Sequence, residues 1–88
     1  MLVLSEELRE VGRVSHFFLK ISVAVVELKD ALSAGDRILI KGPTTNLEQI
    51  VGSMEIEHEK VQRAEAGQSI GLKVDDRVRE SDIVYKIT

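Results

Sequence analysis

Apolar residues recur at every second position in several short runs of this chain, and nowhere with the three-and-four spacing of an amphipathic helix. The pattern predicts six strands, at residues 9–18, 20–28, 37–41, 47–57, 69–74 and 83–87. In the second, "KISVAVVEL", Ile21, Val23 and Val25 oppose Ala24, Val26 and Leu28, so both faces are apolar, as in a central strand. Along 47–57, Ile50, Met54 and Ile56 are expected on one face and Val51, Ser53, Glu55 and Glu57 on the other, with a bulge or bend at Gly52. Residues 30–36 read as a connection, and 58–66 as a polar stretch with one helical turn at 61–64. The expected core is Ile21, Val23, Val25, Ile38, Ile40, Ile50, Met54, Ile56, Ile70, Leu72, Val74, Ile83 and Tyr85.

One phrase occurs twice. "AGDRILIKG" begins at Ala34 and "AGQSIGLKV" at Ala66, each placing Ala-Gly and a polar residue ahead of an alternating run. Glycine takes positive φ where the chain reverses, and Asp36 or Gln68 can bond the backbone of the turn, so both copies read as corners feeding strands. They are not phosphate cradles. "KGPTT", residues 41–45, has neither a second glycine nor a following helix, and its proline, the only one in the chain, ends strand pairing.

Six short strands without a covering helix would leave exposed edges, and closure of the sheet on itself removes them. The fold class expected is therefore all-β, a small six-stranded closed or nearly closed barrel, with residues 1–8 as a tail or edge segment and 9–88 as one domain. Composition adds limits. With 88 residues the chain suits one modest core, and with no cysteine that core must rest on Val, Ile and Leu. The opening "MLVLSEELRE" has too short an apolar run for a membrane span and lacks the flanks of a signal peptide, so a cytoplasmic protein with no membrane association is expected. A net charge of −3 gives the whole molecule no pull toward nucleic acid, and any such contact must be local.

The polar residues offer few chemical constellations. Glu55, Glu57 and His58 are metal-ligating types, but two of them share a strand face that the third leaves, which reads as a solvated surface. Asp75 and Asp76 read as a polar turn, and His16 beside Phe17 and Phe18 as a half-buried strand residue. Lys73, Arg77, Arg79 and Lys86 could gather into a basic patch, although Asp75, Asp76, Glu80 and Asp82 are interleaved with them. No nucleophile–base pair stands out, and no catalytic residue, cofactor or metal is expected.

"SMEIEHEKVQRAEAGQSIGLKV", residues 53–74, resembles a stretch in the second, β-barrel domain of the elongation factors that carry aminoacyl-tRNA, with Glu55, His58, Glu59, Gly67 and Gly71 on the shared pattern. "VRESDIVYKI" is similar to that domain's closing strand. The chain also resembles the small C-terminal barrel of collagenase-like peptidases, where "VGRV", "GDRILIKGP" and "VDDRVRESD" have counterparts. The elongation-factor resemblance implies a translation-factor barrel in which Glu55 helps line a pocket for the end of tRNA. Lys73 falls where that pocket has an apolar wall residue, and Ile56 and Glu57 replace a Met-His pair.

What the resemblance implies is a non-catalytic, free-standing barrel that binds RNA or a ribosome- or tRNA-associated protein, without GTP binding of its own. Its candidate contacts are Glu55, His58, Lys73, Arg77, Arg79 and Lys86. Any RNA binding is expected to be weak and salt-sensitive. The alternative is a protein–protein adaptor, a regulatory barrel for a separately encoded GTPase or tRNA-modifying enzyme.

Overall fold

The computed structural model describes residues 6–88 and is all-β. Ten strands follow one another: β1 (Leu8–Phe18), β2 (Val23–Leu28), β3 (Leu32–Ser33), β4 (Arg37–Lys41), β5 (Asn46–Ile50), β6 (Met54–Ile56), β7 (Glu59–Val61), β8 (Arg63–Ala64), β9 (Ser69–Lys73) and β10 (Ile83–Ile87). Eight form one antiparallel sheet in the order β5-β4-β10-β1-β2-β9-β6-β7, and β3 pairs with β8 in a separate ribbon. Of the first eight residues, expected as a tail or edge segment, 1–5 lie outside the described residues, and Leu8 pairs with Ile87.

Among the described residues the expected count of six strands is corrected to ten, and their ladders do not close into a barrel. The long strand expected over 47–57 is two strands, because the chain leaves the ladder around Gly52, where a bend was expected. The helical turn expected at 61–64 is instead the end of β7 and the whole of β8. The edge strand β5 and the residue after it are tied by side-chain and loop bonds to the end of β9 and to the first Ala-Gly corner. Gln49 donates from Nε2 to the Lys73 carbonyl (3.0 Å) and accepts from the Asp75 N–H at Oε1 (2.8 Å). Gly35 N–H and Val51 N–H donate to the carbonyls of Val51 and Asp36 (2.8 Å each). Gln49 is buried with its amide fully used, which removes the cost of an unpaired polar group.

β1 is long and irregular. Its register shifts between Glu10 and Gly12 against β10, and between Val14 and His16 against β2. Such bulges bend a strand and increase its twist, which lets one strand serve both neighbours of a curved sheet. Gly12 sits where a Cβ would meet the Glu27 carbonyl oxygen at 2.7 Å and Val26 Cγ1 at 2.9 Å.

Both Ala-Gly corners form as the repeated phrase predicts. Gly35 has φ +93° and Gly67 φ +90°. In the first, Ser33 N–H donates to Asp36 Oδ2 (2.9 Å) and Asp36 N–H to the Ser33 carbonyl (3.1 Å). In the second, Glu65 N–H donates to Gln68 Oε1 (2.7 Å) and Gln68 N–H to the Glu65 carbonyl (3.2 Å). The two corners use the same device, a polar side chain closing the turn from its fourth position.

Ile38, Ile40, Met54, Ile70, Leu72 and Val74 are buried as expected, and Ile56 packs partly against them. Ile21 and Ile50, expected inside, are 57% and 54% exposed, and Val23, Val25, Ile83 and Tyr85 are only half-buried. Their strands turn the opposite face inward. Register pairs Leu28, Val26 and Ala24 of β2 with Gly12, Val14 and Phe17 of β1, and those three β2 residues enter the core. Val84 is the buried residue of β10, between Ile83 and Tyr85. Val51 is buried in place of Ile50, just where the chain leaves β5.

Candidate functional site

Because successive side chains of a strand point to opposite sides of a sheet, the core face and the outer face of β2, β9 and β6 can be read from the register. Ala24, Leu72 and Met54 align across the three strands and are buried. One position along, the outer row is Val25, Gly71 and Glu55, extended by His16 on β1 and Lys60 on β7. The next outer row is Phe18, Val23 and Lys73.

Gly71 stands in the middle of this face without a side chain. The result is an open groove of about 380 Å³. Phe18, Ile21, Val23 and Val25 supply its apolar lining, and Glu55, Glu57, His58 and Lys73 its charged and polar rim. Gly71 does not have positive φ, and a Cβ placed on it would meet Val23 Cγ1 at an ordinary 3.4 Å. The backbone therefore does not require glycine there. A glycine inside a strand weakens it and often marks close approach of a ligand or another chain.

Two turns wall the groove. At one end the β1–β2 hairpin, residues 19–22, carries Leu19 and Ile21 largely exposed, with Ser22 at φ +54°. Lys73 Nζ donates to the Ile21 carbonyl (2.7 Å), and Val74 N–H to the Ser22 carbonyl (2.9 Å), so β9 holds this tip in place. At the other end β6 and β7 are joined by Glu57 and His58 alone, with φ of +50° and +68°. Those are the φ signs of a type I′ turn, for which Asn-Gly is the favoured pair. Two side-chain-bearing residues in the left-handed region cost about 1–2 kcal/mol each. That cost falls on a turn that lines the groove.

Of the six residues singled out from the sequence, the structure brings Glu55, His58 and Lys73 together along the groove. Arg77, Arg79 and Lys86 are not among its lining residues. Arg77 and Arg79 lie in the loop before β10, where their N–H groups donate to Asp76 Oδ1 (2.7 Å) and Asp82 Oδ2 (2.8 Å). Lys86 Nζ sits 3.3 Å from Asp36 Oδ2, at the first Ala-Gly corner. His16 lies beside the groove face, with its ring 4.4 Å from Phe18 in an edge arrangement and Nδ1 3.3 Å from Glu80 Oε2. Sequence reasoning missed Ile21, Val23 and Val25 as groove residues, and the signal that could have found them is Gly71, which leaves the opposite face of the Ile70–Leu72 alternation without a side chain.

Among the described residues no group of three or more His, Asp or Glu side chains is placed to hold a metal. No helix among them is long and apolar enough to cross a membrane. The shifted ionisations lie away from the groove. Donation from the Ala31 N–H, with Arg9 adding to it, holds the Asp30 carboxyl below its ordinary range, and Glu6 and Glu48 raise the Arg37 guanidinium.

No family model matches the chain. Over 77 residues, 86% of its length, it is 48% identical to an uncharacterised protease of Methanocaldococcus jannaschii, of which it spans 19%. Over 78 residues it is 37% identical to a collagenase of Porphyromonas gingivalis, spanning 22% of that protein. The chain thus spans about a fifth of the length of these relatives. Its fold is that of the C-terminal domain of a Geobacillus thermoleovorans protein described as a U32 peptidase, with a TM-score of 0.83 at 20% identity over 89% of this chain and 91% of that one.

These findings bear out the collagenase-like part of the resemblance. They overturn the translation-factor function, the RNA-binding role and the GTPase- or tRNA-linked adaptor role set beside it: the sequence relatives are proteases and the structural counterpart is a peptidase domain. The physical reason for the error is that the shared residues are largely turn glycines and β-alternation, which specify corners and strands and not the ligand they carry.

Proposed function

We propose that this chain is an accessory, non-catalytic domain of the U32-type peptidases and that its outer groove seats a segment of polypeptide, with Glu55, His58 and Lys73 as contacts. The observation that carries this reading is the 48% identity over 77 residues to a segment of a protease, joined to the likeness in fold to a U32 peptidase's C-terminal domain. The groove supports it in kind. An apolar floor rimmed by charged side chains can take the side chains of an extended chain while the rim meets its polar groups. The β1–β2 hairpin tip, with Leu19 and Ile21 exposed, extends the apolar surface beyond the groove.

Two measurements test the proposal. The chain alone, mixed with fluorescently quenched gelatin, should show no hydrolysis above background, and cleavage that disappears with Glu55→Gln or His58→Ala would overturn the non-catalytic reading. Deleting the equivalent segment from the Porphyromonas gingivalis collagenase should raise KM for gelatin more than it lowers kcat, because a docking domain contributes to binding and not to the chemical step. An unchanged KM would overturn the docking reading.

A further inference from the structure

The groove is built for a cationic side chain with an aliphatic stem, and we infer that it selects a lysine or arginine of the docked polypeptide; this rests on the docking reading above. Three observations converge. First, the hollow over Gly71 is flanked along its row by Val25 and Glu55, so a side chain entering there has an apolar neighbour on one side and a carboxylate on the other. Second, Glu55 and Glu57 both line the groove, and neither makes an ion pair among the described residues. Third, neither nearby lysine forms an ion pair with these carboxylates among the described residues. Lys73 gives its Nζ to the Ile21 carbonyl at the hairpin end, and Lys60, opposite Glu55 in the ladder, makes no ion pair with it.

Lysine and arginine lay their methylene stems on apolar surface while the charged head stays with polar partners. Phe18, Ile21, Val23 and Val25 offer that surface here, and the Phe18 ring adds a face on which a cation is attracted. An acidic side chain in the same place would bring a third carboxylate against Glu55 and Glu57. A purely aliphatic one would fill the hollow but leave both carboxylates facing apolar atoms. Gly71 is the admitting residue: its missing side chain provides the depth, although backbone geometry would accept alanine.

The test is titration of the isotopically labelled chain, followed by amide NMR shifts, with blocked peptides Gly-Ala-X-Ala-Gly in which X is Lys, Arg, Leu or Glu. The Lys and Arg peptides should move the amides of Val25, Gly71 and Glu55 saturably, and the Leu and Glu peptides should not. Glu55→Gln and Glu57→Gln should each raise Kd about two- to fivefold, the range for a solvent-facing ion pair. Gly71→Ala should keep a folded spectrum and lose the response. If the Leu or Glu peptide binds the groove as well as the Lys peptide, the cationic preference is overturned and docking stands. If no peptide shifts these amides, both are overturned. If Gly71→Ala binds like the unaltered chain, the hollow is not the point of entry and the inference falls.

Discussion

The two faces of β2, β9 and β6 are made by neighbouring residues of the same strands, yet they have opposite tasks. On one, Ala24, Leu72 and Met54 are sealed in the core; on the other, Val25, Gly71 and Glu55 form a trough open to solvent. The inner face is filled as packing demands. The outer face carries two features that stability alone would not favour: a strand glycine that needs no glycine geometry, and a Glu57–His58 turn whose backbone suits other residues. Departures from local preference tend to gather at functional sites, and here both border one groove.

The largest expected effect lies on the core face. Leu72→Ala or Ile40→Ala, each fully buried, should cost roughly 2–5 kcal/mol in chemical denaturation. Val25→Ala, on the trough, should cost about 1 kcal/mol. Equal losses would mean that the outer valine is as much core as the inner residues.

The glycines sharpen the contrast, because they are required for different reasons. At Gly35 and Gly67 a Cβ would have open space but the wrong backbone, so Gly35→Ala and Gly67→Ala should each lower stability by about 1–2 kcal/mol. Replacing the strained turn by the pair its backbone prefers, Glu57→Asn with His58→Gly, should raise stability by about 1–2 kcal/mol. Gly71→Ala should also raise it, by about 0.5–1 kcal/mol, since strand interiors favour alanine over glycine. A loss from either of these groove substitutions would show a structural need that the geometry does not display.

The smallest effect lies outside both faces, on the acid side of the pH profile. The Asp30 carboxyl is held below its ordinary value of 3.8 by the Ala31 N–H, with Arg9 at 2.6 Å. A depressed folded-state pKa contributes stability that is present above that ordinary value and lost as pH falls through the folded one. Asp30→Asn should therefore flatten the decline in stability below about pH 4 slightly, while leaving the shape of the profile near neutrality unchanged.

Much of the fold was legible in the chain. Alternation located the strands at 37–41, 69–73 and 83–87 to within a residue, and the repeated Ala-Gly phrase identified two corners that share one hydrogen-bond scheme. The short pairings were not legible. β3 and β8 are two residues each, too brief for periodicity, and each exists because the other lies opposite it. Of the site, Glu55, His58 and Lys73 could be named from sequence, but nothing local distinguished them from Arg77, Arg79 and Lys86, which the loop before β10 and β10 itself carry elsewhere.

What the sequence determined by itself was everything within reach of a few residues: an all-β chain, its corners, and a core of branched aliphatics. The tertiary structure alone decided which apolar face of β2 turned inward. Both faces of that strand are apolar, and a period of two cannot choose between them. The choice shows in the pairing with β9, where Ala24 and Val26 lie beside the buried Leu72 and Ile70 while Val23 and Val25 are left as the floor of a groove, and the β1 bulge at Ser15 then sets Phe17, not His16, opposite Ala24. The groove depends on that choice, because its lining comes from strands and turns distant in sequence that meet only when the sheet forms.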